Sequence, residues 1–206
     1  MRTHKGEDVF FYEINKIYNV SRETFEKLVL YKELLTKWQK AINLVSRGTL
    51  DHFWIRHVLD SLQIIEYIKG NRVLDIGSGG GFPGVVVALC GDFDVTCVDS
   101  DSRKITFLEE VARITSANVN LKNIRIEKLE DYDFDTVCAR GFSSLSELIS
   151  LTNTFSRKKY GVFLKGAKTQ SEILEANKFF NFKYNIFESK ADKSGCVITI
   201  SDIFRI

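Results

Sequence analysis

The chain has 206 residues, 44% hydrophobic and 27% charged, with 29 basic against 27 acidic side chains and a formal net charge of +2. That composition suits one globular domain large enough to bury its own core. It excludes the strong basic field of a general nucleic-acid binder, so any contact with nucleic acid must come from a local patch. Cys90, Cys97, Cys138 and Cys196 form no CxxC, and with only three histidines a zinc site is not expected. The cysteines read as four small buried hydrophobes in a reducing compartment. The first twenty residues lack the unbroken apolar core of a signal peptide, and no apolar run approaches membrane-spanning length. A soluble, cytoplasmic protein with no membrane partner is therefore expected.

Residues 1 to about 70 read as helical. In 21–44, Phe25, Leu28, Val29, Leu35, Trp38 and Ile42 recur at spacings near three and four, with Ser21 placed as an N-cap. A second helix is predicted over 49–68, opened by Thr49 or Asp51 and closed by Gly70, burying Phe53, Ile55, Val58, Leu59, Leu62 and Ile65. From Arg72 strands and helices alternate. "RVLDI", "DVTCVD", "NIRIEK", "DTVCAR" and "YGVFLKG" read as strands. Helices are placed from Pro83 to about Cys90, over "SRKITFLEEVARITS", from about Ser144 to Thr152 and over "TQSEILEANKFF". That rhythm predicts an α/β fold with a parallel sheet covered on both faces. Between "FKYNIFES" and "GCVITIS" lie only the five residues Lys190 to Ser194, too few for a parallel crossover, so the last two strands should form an antiparallel hairpin. The expected organisation is a helical extension over 1–70 and a Rossmann-like domain over 71–206, together one structural unit.

"VLDIGSGGGFPG" (73–84) holds five glycines within eight residues, directly after a strand and opening a helix. Gly79, Gly81 and Gly84 fit GxGxxG, the fingerprint of a dinucleotide site, which leaves an NAD(P)-dependent oxidoreductase open. Two features oppose it. Asp75 lies two residues before Gly77, where a pyrophosphate would be repelled, and the terminal hairpin departs from an all-parallel dinucleotide domain. S-adenosylmethionine has no phosphate and carries a sulfonium cation, which an acid at Asp75 would favour. Asp75-x-Gly77-x-Gly79-x-Gly81 is similar to the first motif of Rossmann-like methyltransferases, whose architecture also ends in an antiparallel strand. Asp99, 22 residues beyond Gly77 and at a strand end, suits the ribose hydroxyls, with helix capping as its alternative role.

The acceptor is indicated by what is missing. Cys138 lies within a strand without a preceding proline, unlike the nucleophile of pyrimidine carbon methylation. The proline pair of exocyclic-amine enzymes is impossible in a chain with a single proline. No general base is evident. Guanine N7 already offers a lone pair and loses no proton, so alignment could supply much of the rate.

"INLVS", "RHVLDSL", "VLDIGSGGGFPG", "VTCVDS", "RKITFLEEV", "VCARGFSSL" and "FLKG" together resemble the RsmG (GidB) family of bacterial 16S rRNA guanine-N7 methyltransferases, over about Trp38 to Gly166. The departures, "ARGF" for Ser-Arg-Ala-Phe and "NLVS" for Asn-Leu-Thr, are small. The resemblance implies a class I S-adenosylmethionine-dependent fold, mostly parallel with an antiparallel last strand. It implies cofactor contacts at Gly77, Phe82, Leu129, Glu130 and Arg140, beside Gly79, Asp75 and Asp99 from the motif. Arg140, His57 and Lys165 are positioning candidates, with no residue assigned as general base. Arg47, Arg56, His57 and Lys165 are candidate RNA contacts, Arg47 from the acid-free stretch 36–50 that also holds Lys37 and Lys40. The expected partner is 16S rRNA in the small ribosomal subunit or its precursor, engaged by a monomer. A small-molecule methyltransferase and a non-catalytic RNA-binding module remain as alternatives.

Overall fold

The computed structural model describes residues 5–46 and 48–206; Arg47, one of the candidate RNA contacts, lies outside them. Helix α1 spans Lys5–Asn15 and α2 spans Arg22–Trp38. Ser21 caps α2 as expected, its Oγ accepting from the Thr24 amide at 3.0 Å. The helix stops at Trp38, short of the predicted end near Leu44. The cause is Gln39, whose Oε1 accepts from the amides of Leu44 and Val45 at 2.9 and 3.0 Å while its Nε2 donates to the Val45 carbonyl at 2.8 Å. A closed turn thereby replaces another helical turn.

The predicted second helix is a composite run: a 3-10 turn at Leu50–His52, a π-helical stretch at Trp54–Leu59, one α turn at Asp60–Leu62 (α3) and a 3-10 stretch at Gln63–Tyr67. Its buried apolar residues are Phe53, Val58, Leu62 and Ile64, at spacings of five, four and two that no single pitch accommodates. Ile55, expected inside, is 46% exposed.

The seven strands are β1 (Arg72–Ile76), β2 (Asp94–Asp99), β3 (Val119–Asn123), β4 (Thr136–Arg140), β5 (Gly161–Lys165), β6 (Phe180–Glu188) and β7 (Cys196–Arg205). They form one sheet in the order β3-β2-β1-β4-β5-β7-β6, with β7 antiparallel to both neighbours and the rest parallel. The predicted hairpin is β6–β7. The third strand is displaced: "NIRIEK" forms a 3-10 turn at Ile126–Lys128, and β3 lies earlier, paired with Val95–Asp99. β3 is an edge strand with no fully buried residue, so its apolar signal is weak.

Helices α4 (Gly84–Cys90) and α5 (Ser102–Thr115) cover one face; α6 (Leu145–Phe155) and α7 (Thr169–Ala176) cover the other. Phe25, Leu28, Tyr31 and Leu35 of α2 belong to the same buried cluster as Val85–Val87 of α4 and Phe107 and Leu108 of α5. Cys97 and Cys138 are buried, whereas Cys90 and Cys196 are half-buried, a correction to the expectation of four interior thiols; all four are free. Among the described residues no helix is long and apolar enough to cross a membrane.

Leu28 is completely buried beneath the sheet-covering helices. Leu28→Ala should lower stability by about 2–4 kcal/mol in urea denaturation, in one cooperative transition. A loss below about 0.5 kcal/mol would show that α2 melts apart from the sheet.

Candidate active site

The glycine loop follows β1 and opens α4, at the edge of the sheet where all the parallel strands end. Most of its backbone donors are spent internally. The amides of Gly77 and Ser78 donate to the Val98 carbonyl at 2.9 and 3.1 Å, and those of Gly81 and Phe82 to the Ser78 carbonyl at 2.7 and 3.2 Å. The Gly79 amide donates to Asp99 Oδ2 at 2.9 Å and the Gly84 amide to Asp75 Oδ2 at 3.0 Å. A pyrophosphate is held by amides turned outward. Here six are committed to acceptors within the protein, so the loop offers shape without the anion cradle of a dinucleotide site.

Asp75 is fully buried, with Cys97 and Cys138 Sγ each 3.9 Å from its carboxylate. Desolvation raises its pKa to about 6. A Cβ at Gly84 would stand 2.6 Å from Asp75 Oδ2 and 2.5 Å from Cys97 Sγ, so only glycine lets α4 start there. Asp75 is not part of the cavity wall. It anchors the loop from beneath through the Gly84 amide.

Two adjoining cavities, about 500 and 390 Å³, open above the loop and share Gly77, Lys104 and Gly141. Gly77 has φ +67, and a Cβ on it would fall 2.1 Å from the Phe142 ring. The smaller cavity is lined by Asp99, Arg125, Ile126, Glu127 and Phe142. Asp101 caps α5 by accepting from the Arg103 amide, which frees Asp99 from the capping alternative. Lys104 Nζ lies 3.9 Å from Asp99 Oδ2.

Leu129 and Glu130, expected in this wall, are absent from it. Because β3 ends at Asn123, the sheet edge is reached at 124–127; the 3-10 turn then carries Leu129 into the core and leaves Glu130 exposed. Ile126 and Glu127 stand where that pair was expected.

The larger cavity takes Gly77, Gly79, Phe82, Arg56, His57, Arg140 and Lys165 from the predicted set. Arg140, at the end of β4, donates to the Arg56 carbonyl at 2.8 Å and to His57 Nδ1 at 2.9 Å, and lies 3.4 Å from Asp60 Oδ2. Its guanidinium sits 4.9 Å above the Phe82 ring. Arginine only donates, so Nδ1 accepts and the His57 proton resides on Nε2, which donates to Thr49 Oγ1 at 3.0 Å. Burial, then the positive charges of Arg140 and Arg56, push the His57 pKa down to about 3. The imidazole is neutral and both its nitrogens are occupied.

Lys165 is drawn inward. Its ammonium pairs with Glu172 at 2.6 Å and donates to the Ser143 carbonyl at 3.0 Å, so it is not the open phosphate contact expected of it. Arg56 pairs with Asp192 of the β6–β7 loop. Sequence reading did not single out Asp60, Lys104, Asp192 or Tyr31. Tyr31 stacks on Phe82 with centroids 5.2 Å apart, and its hydroxyl donates to the Gly80 carbonyl, 49 residues away in the chain. Spacing along the sequence carries no sign of such contacts.

The residues fit S-adenosylmethionine. A cradle closed to side chains at Gly77, an acid in the wall at Asp99 and an aromatic floor at Phe82 suit an uncharged nucleoside joined to a cationic tail, without a phosphate site.

The family profile described as rRNA small subunit methyltransferase G matches residues 24–194. The chain is 42% identical to ribosomal RNA small subunit methyltransferase G of Orientia tsutsugamushi (strain Ikeda) over 91% of its length and 95% of that protein. It is 39% identical to the protein of the same name from Rickettsia felis, over 91% and 98%. Among solved structures it is similar to magnesium protoporphyrin IX methyltransferase from Synechocystis with bound SAM, with TM-score 0.59, 11% identity and coverage of 88% and 97%. It is also similar to a ribosomal protein L11 methylase from Lactobacillus delbrueckii, with TM-score 0.57, 19% identity and coverage of 69% and 76%.

His57 makes the site sensitive to acid. Folding depresses its proton affinity from the ordinary 6.5, so the unfolded chain protonates first. Its contribution to stability is full above about pH 6.5 and drains as pH falls towards about 3. In denaturation curves across that window, His57→Gln should lose less stability than the wild type. Parallel losses would remove His57 as the cause.

Proposed function

This chain belongs to the rRNA small subunit methyltransferase G family, and on that premise we propose that it transfers a methyl group from S-adenosylmethionine to N7 of a guanine in small-subunit rRNA. The observation that carries the N7 reading is the state of His57. Among the described residues, the one imidazole in the cavity wall, that of His57, is neutral, bonded at both nitrogens and a very weak base. Asp60 is held by Arg140 and Gln63, and Asp75 is sealed beneath the loop. With its bases occupied, the site suits an acceptor that already presents a lone pair and gives up no proton.

S-adenosylmethionine, when bound, supplies the electrophilic methyl group. Asp99 would accept from the ribose hydroxyls, and Ile126 and Glu127, in the same cavity wall, would hold the adenine. Phe82, His57 and Arg140 form one rigid wall beside the methionine end, locked by the Arg140–His57–Thr49 hydrogen-bond chain. A methylated N7 makes the base cationic, and Asp60 and Asp192, which line the same cavity, offset that charge. The chain's contribution is orientation and electrostatics.

Two measurements test this reading. Labelled methyl transfer to 30S particles lacking the modification, followed by cleavage at 7-methylguanine, should yield one new cleavage site in the rRNA. Transfer without cleavage would discard N7, and no transfer despite cofactor binding would discard the ribosomal substrate. Asp99→Ala should raise KM for S-adenosylmethionine about tenfold or more with a smaller change in kcat, consistent with a lost charged hydrogen bond. An unchanged KM would remove Asp99 from the cofactor site.

A further inference from the structure

Ion pairs neutralise part of the positive charge of this nearly neutral chain and leave the rest in solvent. At the edge of the sheet opposite the site, Arg113 in the last turn of α5 is paired with Glu110 at 2.9 Å, and Lys178 just after α7 with Glu175 at 2.7 Å. Within the cavity wall Lys165 and Arg56 are likewise neutralised, by Glu172 and Asp192. One step further out, as at Lys69, Lys122 and Arg205 elsewhere on the surface, basic side chains stand in no ion pair among the described residues. Lys168 and Lys193 are both exposed, and no ion pair among the described residues joins either of them.

Both sit beside residues of the larger cavity. Lys168 follows Gly166 in the β5–α7 loop; Lys193 lies between Asp192 and Gly195 in the β6–β7 loop. The loops are neighbours: Lys165 is paired with Cys196 across β5 and β7, and Thr169 Oγ1 contacts Cys196 Sγ at 3.2 Å. The fold therefore brings two unneutralised lysines from different loops to the rim that also carries Arg140, Lys165 and Asp192. The smaller cavity, assigned above to the nucleoside, lies on the other side of Gly141.

We infer that Lys168 and Lys193 form the docking surface for the phosphodiester backbone of the substrate RNA, holding phosphates that flank the target nucleotide while its base enters the larger cavity. This inference rests on the RNA-methyltransferase reading above. A carboxylate-paired lysine must give up its partner to bind a phosphate, whereas these two exchange only water and counterions. Phosphate contacts of this kind position a strand without reading its sequence, and their signature is the salt dependence of binding. Two lysines also agree with the small net charge: affinity for naked, unrelated RNA stays low, and the base in the cavity supplies selection.

The test compares the wild type, Lys168→Gln/Lys193→Gln and the opposite-edge control Arg113→Gln/Lys178→Gln. All four removals are of exposed charges, and thermal melting and S-adenosylmethionine affinity should match across the set. Methylation of unmodified 30S particles is followed against monovalent salt at fixed magnesium. For the Lys168/Lys193 variant, kcat/KM for the particle should fall about 10- to 100-fold near ~0.1 M salt, and the slope of its logarithm against log salt should flatten by about two. Saturating kcat should stay within about twofold. An unchanged slope, or an equal loss in the control variant, overturns the inference. A wild type that methylates no 30S particle overturns the functional reading instead; retention of labelled 30S particles by the same variants across salt then still decides whether these lysines bind RNA.

Discussion

A carboxylate in the centre of the sheet organises this molecule. Asp75 sits on β1 between Cys97 of β2 and Cys138 of β4, its register partners, in a place stripped of water. Burying a carboxylate is costly unless its oxygens are used, and the Gly84 amide uses one of them. That contact sets where α4 begins. The start of α4 in turn fixes how the glycine loop must turn, and Gly84 admits no side chain because the acid and the Cys97 thiol fill the space. The loop then serves as a support: Phe82 carries the Arg140 guanidinium and the Tyr31 ring, and through Tyr31 the N-terminal helices register against the sheet. A buried charge at the root of the site orders groups on both sides of it.

The same economy explains why a glycine-rich loop here implies a cofactor without phosphate. In a phosphate-binding loop the amides face the ligand. In this loop Val98, Ser78, Asp99 and Asp75 have accepted six of them already, so recognition falls to cavity shape and to acceptors in the wall. The wall is polar but chemically quiet. His57 is flanked by two guanidinium groups and kept unprotonated, and Arg140 is held in a fixed direction by an imidazole, a carbonyl and a carboxylate. Such an arrangement favours a reaction that needs alignment over one that needs proton transfer.

The sequence made the sheet legible because central strands β1, β2, β4 and β5 are apolar runs, and the short connection between β6 and β7 allows only a hairpin. It hid β3, whose edge position leaves its residues half in solvent, and with that displacement Ile126 and Glu127 line the smaller cavity in place of Leu129 and Glu130. It hid the mixed pitch of 50–67 because the periodicity near three and four is shared by 3-10, α and π turns over short spans. Gly77, Phe82, Asp99 and Arg140 were readable because local motifs carry them. Asp75 was recognised as important but assigned to the wall, since spacing along a strand does not say which face an acid occupies. Tyr31, Asp60 and Asp192 were beyond reach, because they act through partners distant in the chain.

The reversed last strand has a consequence for the order in which the molecule can form. The acceptor side of the cavity is closed by the β6–β7 loop: Gln63 binds Ser189 and the Lys190 amide, and Arg56 binds Asp192, joining residues 126, 127 and 136 positions apart. Such pairings have among the highest loop-closure costs in the chain and are late events in folding. During synthesis the glycine loop and its neighbouring strands exist before the rim does, since the residues completing it lie about a hundred positions further along the chain. A growing chain can thus hold most of the wall around the glycine loop before the β6–β7 loop closes the larger cavity.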